Sequence, residues 1–409
     1  MMGREISFAI VVWVVMLTTA VSAAQLGGEL QAGLIYELDD GFSGVPLKVM
    51  LSAEDDLQGQ GRLYISVKGL FDPVTDTQDL TLDKAYASLY LGAVDMTVGR
   101  QVISWGTVDG FGPTNYFTRL GDDAITQGSL VGEPVTGLQA SYFSPSWSFT
   151  GVVIPVFTPQ KISRYMQDAF MSDPARAPLL QAVESAALPE RSLKNMEVGV
   201  RAETSLRGWD VQLSAYSGFE PLPGISLVLD FDPTTMAPQL IPQGTYRRQH
   251  YLGAALAGFL GDLGIKAELA YGGPQPFPED EIPLSQNKPL WKGVLGAEYV
   301  VPIKNGVLVQ GQYLYEGRGS LFSPYNEPMV DPKAGHYLMG RVSYNFTLEN
   351  SVELLALYSM EDSSALVLPG FTYKLGQGAE IKGQLIKSLG TGELNLLPDS
   401  VQMSLTYRF

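Results

Sequence analysis

From about residue 27 onward the chain reads as a series of alternating ribbons. Leu30, Ala32, Leu34, Tyr36 and Leu38 share one parity, and Glu29, Gln31, Gly33 and Glu37 share the other. The pattern returns as Leu63, Ile65, Val67 and Phe71 against Arg62, Tyr64, Ser66 and Lys68. Met196, Val198, Val200 and Ala202 oppose Glu197, Arg201 and Glu203, and Leu263, Ile265, Ala267, Leu269 and Tyr271 oppose Lys266 and Glu268. Near the end Val352, Leu354, Ala356 and Tyr358 oppose Glu353, Ser359 and Glu361, and Val401, Met403, Leu405, Tyr407 and Phe409 oppose Gln402, Ser404, Thr406 and Arg408. Successive side chains of a strand point to opposite faces, so each segment is a strand with one apolar and one wet face.

Two kinds of connection alternate between these segments. Short turns are expected around Gly92, Ser144-Pro145-Ser146, Arg207-Gly208, Gly261-Asp262, Lys304-Asn305-Gly306, Leu348-Glu349-Asn350 and Gly376-Gln377-Gly378. Longer loops occupy roughly 103–134, 157–193, 218–245, 273–289 and 317–334. A single antiparallel barrel with all long loops at one rim accounts for both, with about 18 strands, or about 16 on the competing count. Facing parity slips at 79–84, and Pro369 interrupts 363–376. A soluble sandwich accommodates the alternation less well. The wet face carries ions of both signs, and removing each from water costs several kcal/mol even when paired, whereas a water-filled lumen leaves them hydrated.

The amino terminus sets the compartment. Arg4, the apolar run Phe8–Leu17 and the small residues Ala20-Val21-Ser22-Ala23-Ala24 have the layout of a secretory signal peptide, so 1–24 is read as a signal and 25–409 as one barrel domain. No later apolar run is long enough for a transmembrane helix. With no cysteine, thiol nucleophiles and cysteine-ligated metal are excluded, and no cofactor is expected. A net charge of −16 argues against nucleic acid as a partner.

The wet face nominates pore-lining residues. Its cations include Lys48, Arg62, Lys68, Lys84, Arg201, Arg247, Lys266, Lys292, Arg341, Lys374, Lys382 and Arg408, and a comparable set of glutamates includes Glu29, Glu54, Glu197, Glu268, Glu316 and Glu353. The acidic excess therefore falls in loops, with Asp122 and Asp123 prominent, and an acidic vestibule would attract cations at low salt. Arg119 and Asp109 sit in the same long loop and join the constriction candidates. Lipid-parity aromatics such as Tyr36, Trp147, Tyr271, Trp291 and Tyr299 read as interfacial anchors. Tyr64, Tyr86, Tyr90 and Tyr216 fall on the lumen side. Residues 159–190 hold the best helix candidate, broken near Asp173-Pro174.

The most distinctive stretch is Gly99-Arg100-Gln101-Val102-Ile103-Ser104-Trp105-Gly106, running on to Asp109-Gly110-Phe111-Gly112-Pro113-Thr114-Asn115. On the parity of Val94, Met96 and Val98, Arg100 would face lipid, at roughly 2–4 kcal/mol at the midplane and less near an interface. It is therefore expected near the outer rim, or turned inward by a bulge at Gly99. This GRQ-x-x-x-WG stretch, preceded by Asp83-Lys84-Ala85-Tyr86, resembles a porin-like family of bacterial outer-membrane β-barrels. The alternating tail resembles the closing strand of such barrels, with Tyr407 and Phe409 as the signal read by the barrel-assembly machinery. The resemblance implies a conduit and leaves its solute open.

Enzyme readings find little support. His250 and His336, both near strand ends, are the two histidines of the chain, and neither has a neighbouring nucleophile motif. The expectation is a porin or passive diffusion channel for small hydrophilic solutes, embedded in outer-membrane lipid, compatible with a homo-oligomer, and narrowed by a loop near 103–134. The alternative is a non-conducting barrel serving as adhesin, anchor or loop-based binding module.

Overall fold

Almost every residue of the alternating segments becomes strand, because a backbone in lipid must satisfy its hydrogen bonds with a neighbouring strand. The computed structural model describes residues 24–119, 132–162, 167, 170–171, 176–231, 234–322, 325, 333–395 and 397–409. Residues 1–23 of the expected signal segment 1–24, Asp122, Asp123 and Asp173-Pro174 lie outside the described residues.

The first part of the wall comprises β1 (Gln25–Glu37), the short β2 (Gly41–Gly44), β3 (Leu47–Asp56), β4 (Gly61–Asp72), β5 (Thr77–Leu91), β6 (Val94–Gln101), β7 (Val135–Phe143) and β8 (Ser148–Ile154). Next come β9 (Glu197–Leu206) and β10 (Trp209–Phe219), an outer hairpin of β11 (Gly224–Phe231) and β12 (Pro238–Thr245), then β13 (Arg248–Leu260) and β14 (Leu263–Pro274). After the two-residue β15 (Ile282–Pro283), the wall continues with β16 (Leu290–Val301), β17 (Val307–Glu316), β18 (Gly335–Asn345), β19 (Ser351–Ser359), β20 (Ala365–Gly376), β21 (Ala379–Leu389) and β22 (Ser400–Arg408).

Nineteen of these form one sheet, and four-residue β2 pairs with the tip of β1 as a continuation of β3, so the wall is a closed antiparallel barrel of 18 strands. Closure occurs as the terminal alternation requires. β22 pairs with β1 from Glu29 opposite Arg408 to Glu37 opposite Ser400, and Phe409 and Gly28 exchange backbone hydrogen bonds of 3.0 and 2.9 Å. The expected short turns all lie at one rim and the expected long loops at the other. At Arg207-Gly208 both residues have positive φ, 53° and 85°, the geometry that matches the right-handed twist of the strands it joins.

Parity slips where expected, and the cause is a bulge. Ser66 pairs with Lys84 but Val67 with Leu82, leaving Asp83 as the extra residue. Asp83 and Lys84 therefore both reach the inner face, where Asp83 accepts a 3.0 Å hydrogen bond from Ser66 Oγ. Arg100 keeps the parity of exposed Val98, and its Nε donates 2.9 Å bonds to the carbonyls of Leu82 and Asp83. The bulge thus lies across the ladder from Arg100, at Asp83 rather than at Gly99, and its freed carbonyls offset the burden of an outward guanidinium.

One loop expectation is revised, and the helix expected in another is located. The stretch 218–245 carries the β11–β12 hairpin, which with β15 forms a three-stranded sheet outside the wall. Within 159–190 the structure has helix α1 (Ala177–Glu184), whose Val183 packs with Ile225 of β11 and Leu284. The helix begins after the predicted break because Pro178 suits a first turn, where its missing N–H has no partner to lose.

Candidate functional site

The residues following β6 do not leave the barrel; they turn into it. Ile103, Trp105, Tyr116 and Phe117 are buried against inward residues of the wall, among them Val135 of β7, Ile154 of β8, Tyr216 of β10 and Tyr251 of β13. Trp105 meets Phe117 edge-on at 4.9 Å, and Tyr116 stacks on Tyr216 at 5.2 Å. An aromatic core therefore fastens the base of this segment to the inner face of β7–β13.

Its tip is held by one carboxylate. Glu268 of β14 accepts hydrogen bonds at Oε1 from the amides of Thr107 and Val108, the latter at 2.9 Å. At Oε2 it accepts from the Thr114 amide at 3.1 Å and the Thr114 hydroxyl at 2.7 Å. Buried on a strand, this carboxylate takes the place of solvent for a loop with no secondary structure of its own. The approach demands glycine: a Cβ on Gly106, where φ is 100°, would lie 2.5 Å from Glu268 Oε1. Asp109 then binds Lys266 Nζ at 3.2 Å and Gln310 Nε2 at 2.8 Å, while its carbonyl accepts from Gln312 Nε2 at 3.1 Å. Burial disfavours the Asp109 charge, but the Gln310 hydrogen bond and the Lys266 ammonium outweigh it and hold the carboxyl below its ordinary value. The side chain is still 59% exposed, so a negative charge faces the lumen at the tip.

Returning toward the wall, the segment ends on a buried ion pair. Arg119 Nη2 lies 3.0 Å from both oxygens of Glu197, whose Oε1 also accepts from the Tyr216 hydroxyl at 2.9 Å and the Phe219 amide at 3.1 Å. With side-chain exposures of 3% and 1%, the pair meets no lumen water, so Arg119 anchors the segment and does not line a pore.

The remaining nominated cations divide between two parts of the inner face. Arg62, Lys68 and Lys84 lie on β4 and β5, where Arg62 pairs with Glu54 at 3.0 Å beneath the stacked rings of Tyr64 and Tyr86. Arg341 pairs with Glu353 at 2.7 Å. These side chains keep substantial exposure, from 35% at Lys84 to 53% at Lys382 and 50% at Arg408. Arg201 differs: it pairs with Glu203 at 2.9 Å and lies 5.2 Å from the ring centre of Trp105. Nearer the loop rim of β17–β21, the inner face carries Leu314, Met339, Leu357, Leu366, Leu368 and Ile386, all buried beneath Val108, Phe111, Leu321 and Phe322. The inner face is thus an open polar arc, from β21 through β22 and β1 to β6, and an arc from β7 to β20 that is covered toward the loop rim, with Arg341 and Glu353 still exposed below the cover.

Glu268, Thr107, Thr114, Gln310 and Gln312 are the contacts that composition did not single out. Glu268 was visible as one inward glutamate among many, and nothing local ties it to a threonine 154 positions away. The glycines of the GRQ-x-x-x-WG stretch were the available signal, since a carboxylate seated against backbone needs residues without Cβ.

No protein-family model matches the chain, and no curated protein sequence does. Solved structures share its architecture. OccK5 (OpdH) of Pseudomonas aeruginosa aligns with TM-score 0.55 and 8% identity over 95% of this chain and 98% of that one. OccD3 (OpdP) of the same organism gives 0.54 at 10% identity over 95% and 92%, and OccK3 (OpdO) gives 0.54 at 12% over 95% and 96%. Together with the apolar outer face, these likenesses show the fold of an outer-membrane β-barrel, with its short turns at one rim and its long loops at the other.

Proposed function

We propose that this protein is a passive diffusion channel for small hydrophilic solutes, with water and solute following the open polar arc and the segment from residue 103 narrowing the way. The observation that carries this reading is the inward course of residues 103–119, tied to Glu268 and Lys266, beside an arc whose charged side chains stay hydrated. A barrel serving only as an anchor gains nothing from ionic side chains kept in lumen water. The narrowing is acidic at Asp109, so a weak cation preference is expected that fades as salt shortens the screening length. Conductance of purified protein in planar bilayers tests the reading. Discrete channels with a cation-selective reversal potential support it, and a folded, inserted protein that never conducts would refute it.

The second reading, a non-conducting adhesin or loop-based binding module, draws on one feature. The β11–β12 hairpin stands outside the wall with Leu229, Phe231, Met236 and Leu240 exposed. Removing the hairpin leaves conductance intact under the channel reading and abolishes a surface interaction under this one.

A further inference from the structure

A leucine facing the lumen of a water-filled barrel forfeits its burial, so the apolar stretch of the covered arc needs an explanation. It does more than support loops, because two cavities remain against it. One, of about 320 Å³, opens toward the loop rim between Tyr251, Leu314 and Glu316; the other, of about 80 Å³, lies deeper between Met339, Leu357, Leu366 and Leu368. Phe111 and Phe322 line both cavities and meet edge-on between them, with centroids 5.4 Å apart and planes at 88°. The deeper cavity reaches Arg341 and Glu353, the pair that faces the hydrated lumen.

The backbones carrying the two rings are pinned. Phe111 sits between Asp109, bound to Lys266 and Gln310, and Thr114, bound to Glu268. The Phe322 amide donates a 2.8 Å bond to Glu393 Oε1. The rings can therefore part only by side-chain rotation, a fast local step between staggered positions. Volume decides what that rotation admits. An apolar cavity of roughly 150 Å³ holds a benzene ring, so the outer cavity already accepts one and the deeper cavity does so only once Phe111 swings aside.

Charge then selects the solute. At the outer mouth Lys292 and Arg318 share Glu316 at 3.4 and 3.8 Å, and at the inner mouth Arg341 and Glu353 pair at 2.7 Å. The charges at both mouths are engaged in ion pairs, and an ion crossing between the leucines would lose its hydration with nothing in exchange.

From this geometry we propose a second route, beside the polar arc, for neutral amphipathic solutes with one compact aromatic or branched aliphatic body and a hydroxyl-bearing edge. The inference rests on the channel reading. Its test compares swelling of proteoliposomes in phenyl β-glucoside and in methyl β-glucoside, which share a polar head and differ in the apolar body. The phenyl compound, although larger, is expected to permeate faster. Leu357→Gln should reduce the phenyl-to-methyl ratio roughly tenfold, the effect of losing part of one ring's burial. Phe322→Ala, a change confined to a loop, should raise the phenyl rate while leaving salt conductance nearly unchanged. Heat-modifiable migration on gels confirms that each variant is folded. A phenyl-to-methyl ratio below one in the native protein, or a ratio that neither variant moves, overturns the second route while salt conductance leaves the channel standing. No salt conductance and no swelling in either sugar overturns both.

Discussion

The two arcs of the inner face begin from the same ribbon and end as different materials. On β4 and β5, Arg62, Tyr64, Lys68 and Lys84 alternate with lipid-facing Leu63, Ile65 and Leu82, and the inward side chains stay in water. On β9 and β14 the alternation is as regular, yet Glu197 and Glu268 are buried, each accepting several hydrogen bonds from a loop. The difference lies in what lies over the strand. An inward glutamate facing water is a tuning element for ions, whereas the same residue beneath a folded-in segment is a structural anchor, and removing either partner strands a buried charge.

The two arcs should differ most at the anchor. Arg119→Ala should destabilise the barrel by about 3–5 kcal/mol, because Glu197 is left uncompensated in a sealed site. Thermal unfolding followed by gel mobility would register it, and the matched change in the open arc, Arg62→Ala, should shift the midpoint by far less, about 0–1 kcal/mol for an exposed pair. Equal shifts would mean that the arcs are not distinct.

Glu268→Ala comes next. It unpairs the amides of Thr107, Val108 and Thr114, worth roughly 1–3 kcal/mol for each group that finds no water, so the segment should detach while the wall persists. Single-channel conductance should then rise and the exclusion size for neutral polymers should increase. An unchanged conductance would show that the segment does not narrow the route.

Charge reversal sharpens the comparison without disturbing the fold. Arg62→Glu with Lys68→Glu should move the reversal potential toward stronger cation preference at 0.1 M salt, and the shift should shrink as salt shortens the roughly 10 Å screening length. Asp109→Asn should move it the other way. Exchanging Lys292 and Glu316, covered and mutually paired at 3.4 Å, should leave selectivity where it was.

The smallest effect is a pH dependence of the external loops. Glu220, beside Arg247, is pushed up to about 7 by burial, against the opposing pull of the guanidinium. Its folded value exceeds the unfolded one, so its contribution is fully present below about 4.5 and is lost as pH rises through about 7. Protection factors of amides near 219–248, taken against the intrinsic exchange rate at each pH, should fall between pH 5 and pH 8, and Glu220→Gln should remove that fall.

How far these features were legible differs along the chain. The strand count, the turns and the closing pair of β1 with β22 followed from period-two alternation, a property of consecutive residues that lipid and water enforce. The slip at 79–84 was visible too, although the bulge proved to be Asp83 and not Gly99 on the neighbouring strand, which pairs with Tyr86. The helix was detectable in 159–190, but the hairpin within 218–245 was hidden, because Pro238 and Pro242 disguise a strand that pairs on one side only. Arg119 was misplaced among the lining residues, since a charge in a long loop looks the same whether it meets water or a buried glutamate.

The barrel and the side chains that point inward are therefore written in the sequence, because strand pleat and solvent preference act residue by residue. Only the tertiary structure decided which inward side chains meet water. That choice depends on where residues 103–119 come to rest, and they rest where Glu268 can replace the solvent their amides lost. A contact made across more than 150 positions leaves no periodic trace; the glycines beside it, which clear the space a carboxylate needs, are the part of it written locally.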